Sequence, residues 1–136
     1  MKPQTGIYLV TFNMQKPINS QTGWGQTKMK TGMMITSNMV KIGKFENGEE
    51  GRRKNYEKTY GTFFKMEIIW SGNLNKEDIR KLESYIKKEF KQYRHRNPLT
   101  KYPSEYIELA KIALPEIQHR LKTMIDEFLS EIRQIA

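Results

Sequence analysis

Five side chains in this sequence could do chemistry together: Tyr8 in GIYLVTF, Lys41 in MVKIGKF, Arg52 and Tyr56 in GRRKNYEK, and Glu83 in KLESYIKKEF. Two phenols, an ammonium, a guanidinium fork and a carboxylate suit the handling of an oxyanion and its water. Each also has an ordinary reading. Tyr8 fits a half-buried strand position. Lys41 fits the charge of an edge strand, although Met39, Val40 and Ile42 around it read as core. Arg52 fits a solvated helix face, and Glu83 fits an i,i+4 partner of Lys87. On a helical wheel Glu83 and Glu89 flank the same apolar stripe, and the wheel does not choose between them.

The elements that must position these residues follow from local patterns. Residues 6–12 are rich in β-formers, and residues 33–43 read as a second strand with an interruption at Ser37-Asn38, so a hairpin is the simplest pairing. Between them, residues 14–32 are polar, rich in Gly, Thr and Gln, and read as a long inserted loop around Trp24. Residues 46–61 hold almost no aliphatic side chain. Asn47 is a candidate cap and Gly61 a candidate stop for a helix on which Arg52, Tyr56 and Tyr60 share one face. Residues 62–70 read as a third strand. Asn75 is the candidate cap of a helix running to about Tyr93, with Ile79, Leu82, Ile86, Phe90 and Tyr93 as its apolar stripe. From Ser104 to the end the pattern reads as helical, with a kink near Pro115. The predicted fold class is α/β: a small three-stranded mixed sheet with flanking helices. The predicted division is a core over 1–103 and a C-terminal helical extension over 104–136.

Charge narrows the partner. The 136 residues carry a formal net charge of +9, and residues 1–100 hold 19 Lys+Arg against 9 Asp+Glu. Such a field favours a polyanion, most simply nucleic acid; a merely soluble basic surface is the plain alternative. Trp24 could stack on a base or anchor its loop. Lys28, Lys30, Lys44, Arg53, Lys54, Lys87 and Lys91 are candidate phosphate contacts. The sequence has no cysteine, which excludes disulfides and thiolate metal sites and is compatible with the cytoplasm. No run of about 18 apolar residues suggests a membrane span, and no signal peptide is expected. Leu121, Ile125, Phe128, Ile132 and Ile135 alternate at 4-3-4-3 spacing. That seam suits packing on the protein's own core or a homodimer through the C-terminal helix.

The order of these motifs resembles the GIY-YIG nuclease superfamily. Gly6-Ile7-Tyr8 matches its first motif, and Lys41-Ile42-Gly43 stands where the second would be. Lysine in that place is similar to the branch, common in phage and restriction enzymes, whose second motif reads K-I-G. The resemblance covers about residues 5–109, and PSEYIEL near Glu105 resembles a segment of the same branch. It departs from the pattern in the long insertion between the two strand motifs. It implies a Mg²⁺- or Mn²⁺-dependent DNA endonuclease. Glu83 would be the metal ligand and Arg52 the phosphate clamp. Tyr8 would activate or orient water, Lys41 would either be the cation lowering its pKa or orient the water itself, and Tyr56 would be a further hydroxyl. A non-catalytic nucleic-acid-binding protein on the same fold is the alternative.

Overall fold

The structure is a computed structural model that describes residues 3–13, 16–17, 34–96 and 103–135. Trp24, Lys28 and Lys30 lie outside the described residues. The strand pair expected from the sequence forms the centre of the molecule: β1 (Thr5–Phe12) runs antiparallel to β4 (Met39–Phe45), with Tyr8 opposite Gly43 and Val10 opposite Lys41. Two short strands, β2 (Lys16–Pro17) and β3 (Met34–Ile35), pair separately as a ribbon, and a turn at Ser37-Asn38 leads from it into β4.

The sheet is larger than predicted. β5 (Phe64–Gly72) pairs with the free side of β1, β7 (Pro103–Glu108) pairs with β4, and β6 (Arg94–Arg96) closes the far edge. The order is β5-β1-β4-β7-β6 and every pairing is antiparallel. A five-stranded antiparallel sheet therefore replaces the expected three-stranded mixed one, while the α/β character stands. The two missed strands have clear physical reasons. Arg94-His95-Arg96 carries no apolar residue and no period. Tyr106, Ile107 and Leu109 fit helical and alternating spacings alike, and the unpaired edge of β4 decides for a strand. Ser104 thus begins no helix.

Three helices cover the sheet. α1 (Glu50–Tyr60) starts after Glu49, not Asn47, and stops at Gly61, whose φ of 62° is the left-handed conformation that glycine adopts freely. α2 (Lys76–Glu89) is capped by Asn75, whose side chain accepts a 2.8 Å hydrogen bond from the Asp78 N–H. A 3₁₀ turn at Lys91–Tyr93 follows it, so the helix ends short of Tyr93. α3 (Leu114–Ile135) carries Pro115 in its first turn, where its missing N–H costs nothing, so no kink arises there.

Strand alternation sends the two faces of the sheet to different cores. Ile7, Leu9, Val40, Ile42 and Ile107 point to one face, where Ile79, Leu82 and Ile86 of α2 and Ile117, Leu121 and Ile125 of α3 meet them. The first three residues of the α3 seam are used at home: Leu121 and Ile125 are fully buried, and Phe128 packs partly against the same core, while the side chain of Ile135 lies outside the described residues. Tyr8, Val10, Met39, Phe45 and Tyr106 point to the other face, under Tyr56 and Tyr60 of α1. Among the described residues no helix is long and apolar enough to cross a membrane.

Candidate active site

β7 pairs with β4 only from Met39 to Lys41, and the last pair is Lys41 with Tyr106. Beyond it the two strands part. A cleft of about 550 Å³ opens there, lined from β1 by Tyr8, from β4 by Lys41 and Gly43, from α1 by Arg52 and Tyr56, from α2 by Glu83 and Lys87, and from β7 by Glu105. The gap lets helices from opposite faces of the sheet reach one place. All five side chains singled out in the sequence line it.

The glycines of the two strand motifs make room for aromatic rings. A Cβ on Gly43 would collide with the Tyr8 ring and hydroxyl, and one on Gly6 would collide with the Phe45 ring. Each glycine sits directly opposite the aromatic residue that covers it. The motif glycines thus fix where the Tyr8 hydroxyl stands. That hydroxyl hydrogen-bonds the Tyr56 hydroxyl at 3.1 Å, with the rings edge to face. Behind them Tyr60 and Tyr106 form a second hydroxyl pair at 2.5 Å.

Lys41 is the only charged side chain buried among the described residues, at 6% exposure. Burying an ammonium costs several kcal/mol unless it is paired (on the order of 3–5 kcal/mol when a partner is removed). Its Nζ stands 3.1 Å from Glu105 Oε2, and it lies 5.3 Å from the centre of the Tyr56 ring and 5.9 Å from that of Tyr106. Burial pulls the Lys41 pKa below its ordinary value, with the positive charges of Lys87 and Arg52 acting the same way and Glu105 opposing them. Burial alone would raise the Glu105 carboxyl, but Lys41, helped by Lys87 and Arg94, holds it below the usual carboxylate value. Burial also pushes Tyr8 upward. The Tyr56 hydrogen bond and Arg52 work against that shift, and Glu83 and Glu105 reinforce it. The expected lowering of Tyr8 by Lys41 is therefore absent: the ammonium is directed at Glu105, and desolvation dominates the phenol. Tyr56 is pushed far up for the same reason, with Tyr8 adding to it.

Arg52 makes no ion pair among the described residues, so its guanidinium is available in the cleft. Glu83 borders the buried stripe of Ile79, Leu82 and Ile86, and its carboxylate lies 3.6 Å from Lys87. Glu89, on the other margin, faces a different cleft beside Tyr85, Lys88 and Lys91, and comes within 3.8 Å of Arg120. Tertiary placement thus separates two carboxylates that the wheel left equivalent. Of the candidate phosphate contacts, Lys44 and Lys87 line the cleft, and Lys44 is held at 2.7 Å by Glu46. Arg53 and Lys54 pair with Glu49 and Glu50 along α1, and Lys91 lies at the separate cleft on α2. Sequence reasoning missed Glu105, Tyr60 and Tyr106 as parts of the site. The resemblance of PSEYIEL to a segment of the K-I-G branch pointed to the first without giving it a role, and Tyr60 was placed only on the face of α1 that carries Arg52 and Tyr56.

A hard divalent cation such as Mg²⁺ accepts one or two carboxylates if waters and phosphate oxygens complete its shell. Among the described residues no group of three or more acidic or imidazole side chains gathers. Glu105 is engaged by Lys41, which leaves Glu83, 19% exposed at the cleft. This donor set fits a cation held jointly with a substrate phosphate and does not fit a closed all-protein site.

Fold and site together define a class: a small α/β domain whose antiparallel sheet opens beside its central strand into a cationic, tyrosine-lined cleft. The chain belongs to the T5orf172 domain family, whose profile matches residues 24–132. The match takes in Lys41, Arg52, Tyr56, Glu83 and Glu105 and begins after β1. Searches of curated proteins and of solved structures find no match.

Proposed function

We propose that the protein is a metal-dependent DNA endonuclease of GIY-YIG type, a phage or mobile-element enzyme acting in the cytoplasm. The T5orf172 domain is a phage-derived domain associated with nuclease-like proteins, and a DNA-directed role suits it. The observation that carries the proposal is convergence. Tyr8, Lys41, Arg52, Tyr56 and Glu83 come from four separate elements and meet in one cleft.

Phosphodiester hydrolysis joins a water oxygen to phosphorus as the bond to the leaving sugar oxygen breaks. The water gives up a proton and the leaving oxygen gains one. Arg52 presents a planar fork to the non-bridging oxygens, whose charge grows in the transition state. Tyr8, kept neutral by burial, orients the water through its hydroxyl, and Tyr56 fixes that hydroxyl by the 3.1 Å bond. Lys41 and Lys87 neutralise charge at the cleft wall. Glu83 would hold Mg²⁺ or Mn²⁺, which when bound polarises the phosphoryl oxygens and acidifies water.

A non-catalytic nucleic-acid-binding role on the same fold is the second reading. The 3.6 Å Glu83–Lys87 pair favours it, because that carboxylate already has a cation. Supercoiled, linear and branched DNA incubated with and without Mg²⁺ separates the two. Metal-dependent nicking supports the nuclease. Retention of DNA without cleavage of any form, under any divalent cation, supports the binding module.

A further inference from the structure

Glu105 has no place in the chemistry above, yet it is built into the cleft. It lies one residue before Tyr106, the first residue of β7 to pair with β4, at the point where the strands diverge. Its side chain is half exposed, but its carboxylate reaches inward to the buried Lys41 Nζ at 3.1 Å. The strand pairing that places Tyr106 opposite Lys41 also brings Glu105 within reach. Lys41, in turn, lies against the rings of Tyr56 and Tyr106, which offer a cation π-faces but no counter-charge.

We propose that Glu105 is a positioning residue of the cleft: its carboxylate anchors the Lys41 ammonium at the wall beside Tyr56 and keeps it charged where substrate phosphate would enter. The proposal rests on the nuclease reading for its consequence in catalysis, and on geometry alone for its consequence in Lys41. The charged groups that face the ammonium from α1 and α2 act in the opposite sense. Arg52 from α1 and Lys87 from α2 are cations and favour loss of its proton. Tyr8 and Tyr56 line the same cleft and are driven toward their neutral forms by burial, as is Tyr106. Glu83 lines the same cleft, but its carboxylate is beside Lys87. Removing the negative charge at Glu105 therefore takes away the carboxylate that stands 3.1 Å from a buried ammonium and opposes the effect of burial on it.

The test is the titration of Lys41 in the full-length protein. ¹³C,¹⁵N-lysine labelling gives its side-chain resonance, assigned by comparison with Lys41→Arg. In Glu105→Gln the resonance should titrate about 1–3 pH units lower than in wild type, the range for losing an opposite charge at contact distance. Glu105→Asp, which keeps the charge, should titrate nearer wild type and guard against a general disturbance. The alkaline limb of DNA cleavage should move to lower pH in Glu105→Gln and return toward wild type in Glu105→Asp. Thermal melting checks that each variant is folded. Identical Lys41 titration in wild type and folded Glu105→Gln overturns the proposal, as does an equal downward shift in Glu105→Asp. A wild type that cleaves no DNA removes the nuclease reading, while the Lys41 shift would still uphold the anchoring role.

Discussion

The two faces of the sheet are built from different materials. The face under α2 and α3 is aliphatic: isoleucine and leucine fill it from β1, β4 and both helices, and none of its buried members carries a hydroxyl. The face under α1 holds four tyrosines with Phe12, Phe45, Met39 and Met66. An aliphatic layer gains from burial and demands nothing of its neighbours beyond shape. A tyrosine layer buries comparable area but must also satisfy its hydroxyls. Here they satisfy one another in two pairs, Tyr8 with Tyr56 and Tyr60 with Tyr106. No buried side-chain polar atom among the described residues lacks a partner. The difference teaches a division of labour: one face holds the sheet together, and the other fixes hydroxyls and a buried cation at the mouth of a cleft.

The sharpest challenge to that division is Glu83, because α2 belongs to the aliphatic face yet sends this carboxylate into the cleft. Glu83→Ala should abolish plasmid nicking without lowering Tm appreciably, since a stripe-edge carboxylate adds little to core burial. Glu89→Ala, its mirror on the same helix, should remain active. Activity in the first variant, or its loss in a folded second, would put the chemistry on the wrong side of α2.

Next come the groups on the tyrosine face to which the proposed mechanism gives a role at the substrate. Arg52→Ala should reduce cleavage by about 10²–10³-fold, the usual loss for one preorganised donor to an oxyanion. Tyr8→Phe should lower it by about 10²-fold while DNA affinity stays near wild type, and should cost only about 1 kcal/mol of stability for the lost hydroxyl pair. Rates measured beside filter-binding affinities would distinguish these effects from weakened binding. A Tyr8→Phe enzyme cleaving at the wild-type rate would mean that the tyrosine face serves packing alone.

The converse lesion lies on the aliphatic face. Leu82 is fully buried there, and Leu82→Ala should destabilise the fold by about 2–5 kcal/mol in chemical denaturation. Cleavage per folded molecule should be nearly unchanged at temperatures well below Tm. If this substitution instead changed the pH–rate profile, the two faces would be coupled rather than divided.

The smallest effect concerns acid. Glu46 bonds Arg80 and Lys44, chiefly through hydrogen bonds, and its pKa falls to about 2 from 4.5. The folded state therefore binds this proton less readily than the unfolded chain. The contribution is present in full above pH 4.5 and is lost as pH falls toward 2. Arg80, its first partner, is 61% exposed to solvent, so Glu46→Gln should make the decline of Tm across that window only slightly shallower. Equal slopes in wild type and variant would show that solvent screens the cluster completely.

Much of this molecule was legible before its structure. The β-formers of 6–12 marked the first strand, and the 3–4 spacing of Ile79, Leu82 and Ile86 assigned α2 its buried side. Those patterns are local and repeat with the period of the backbone that carries them. The family resemblance nominated one carboxylate of two, and the cleft contains that one. What the chain could not show locally is what depends on partners far away in sequence. β6 and β7 are strands because β4 has an open edge, not because Arg94-His95-Arg96 or PSEYIE favours one. Gly43 is required by the ring of Tyr8, 35 positions earlier. The state of Tyr8 is governed by burial rather than by the nearest cation in the motif. Lys41 between Val40 and Ile42 looked like a charge out of place. Its place in a strand was legible, but its counter-ion is Glu105, and only the pairing of β7 with β4 could bring that carboxylate 3.1 Å from a buried ammonium.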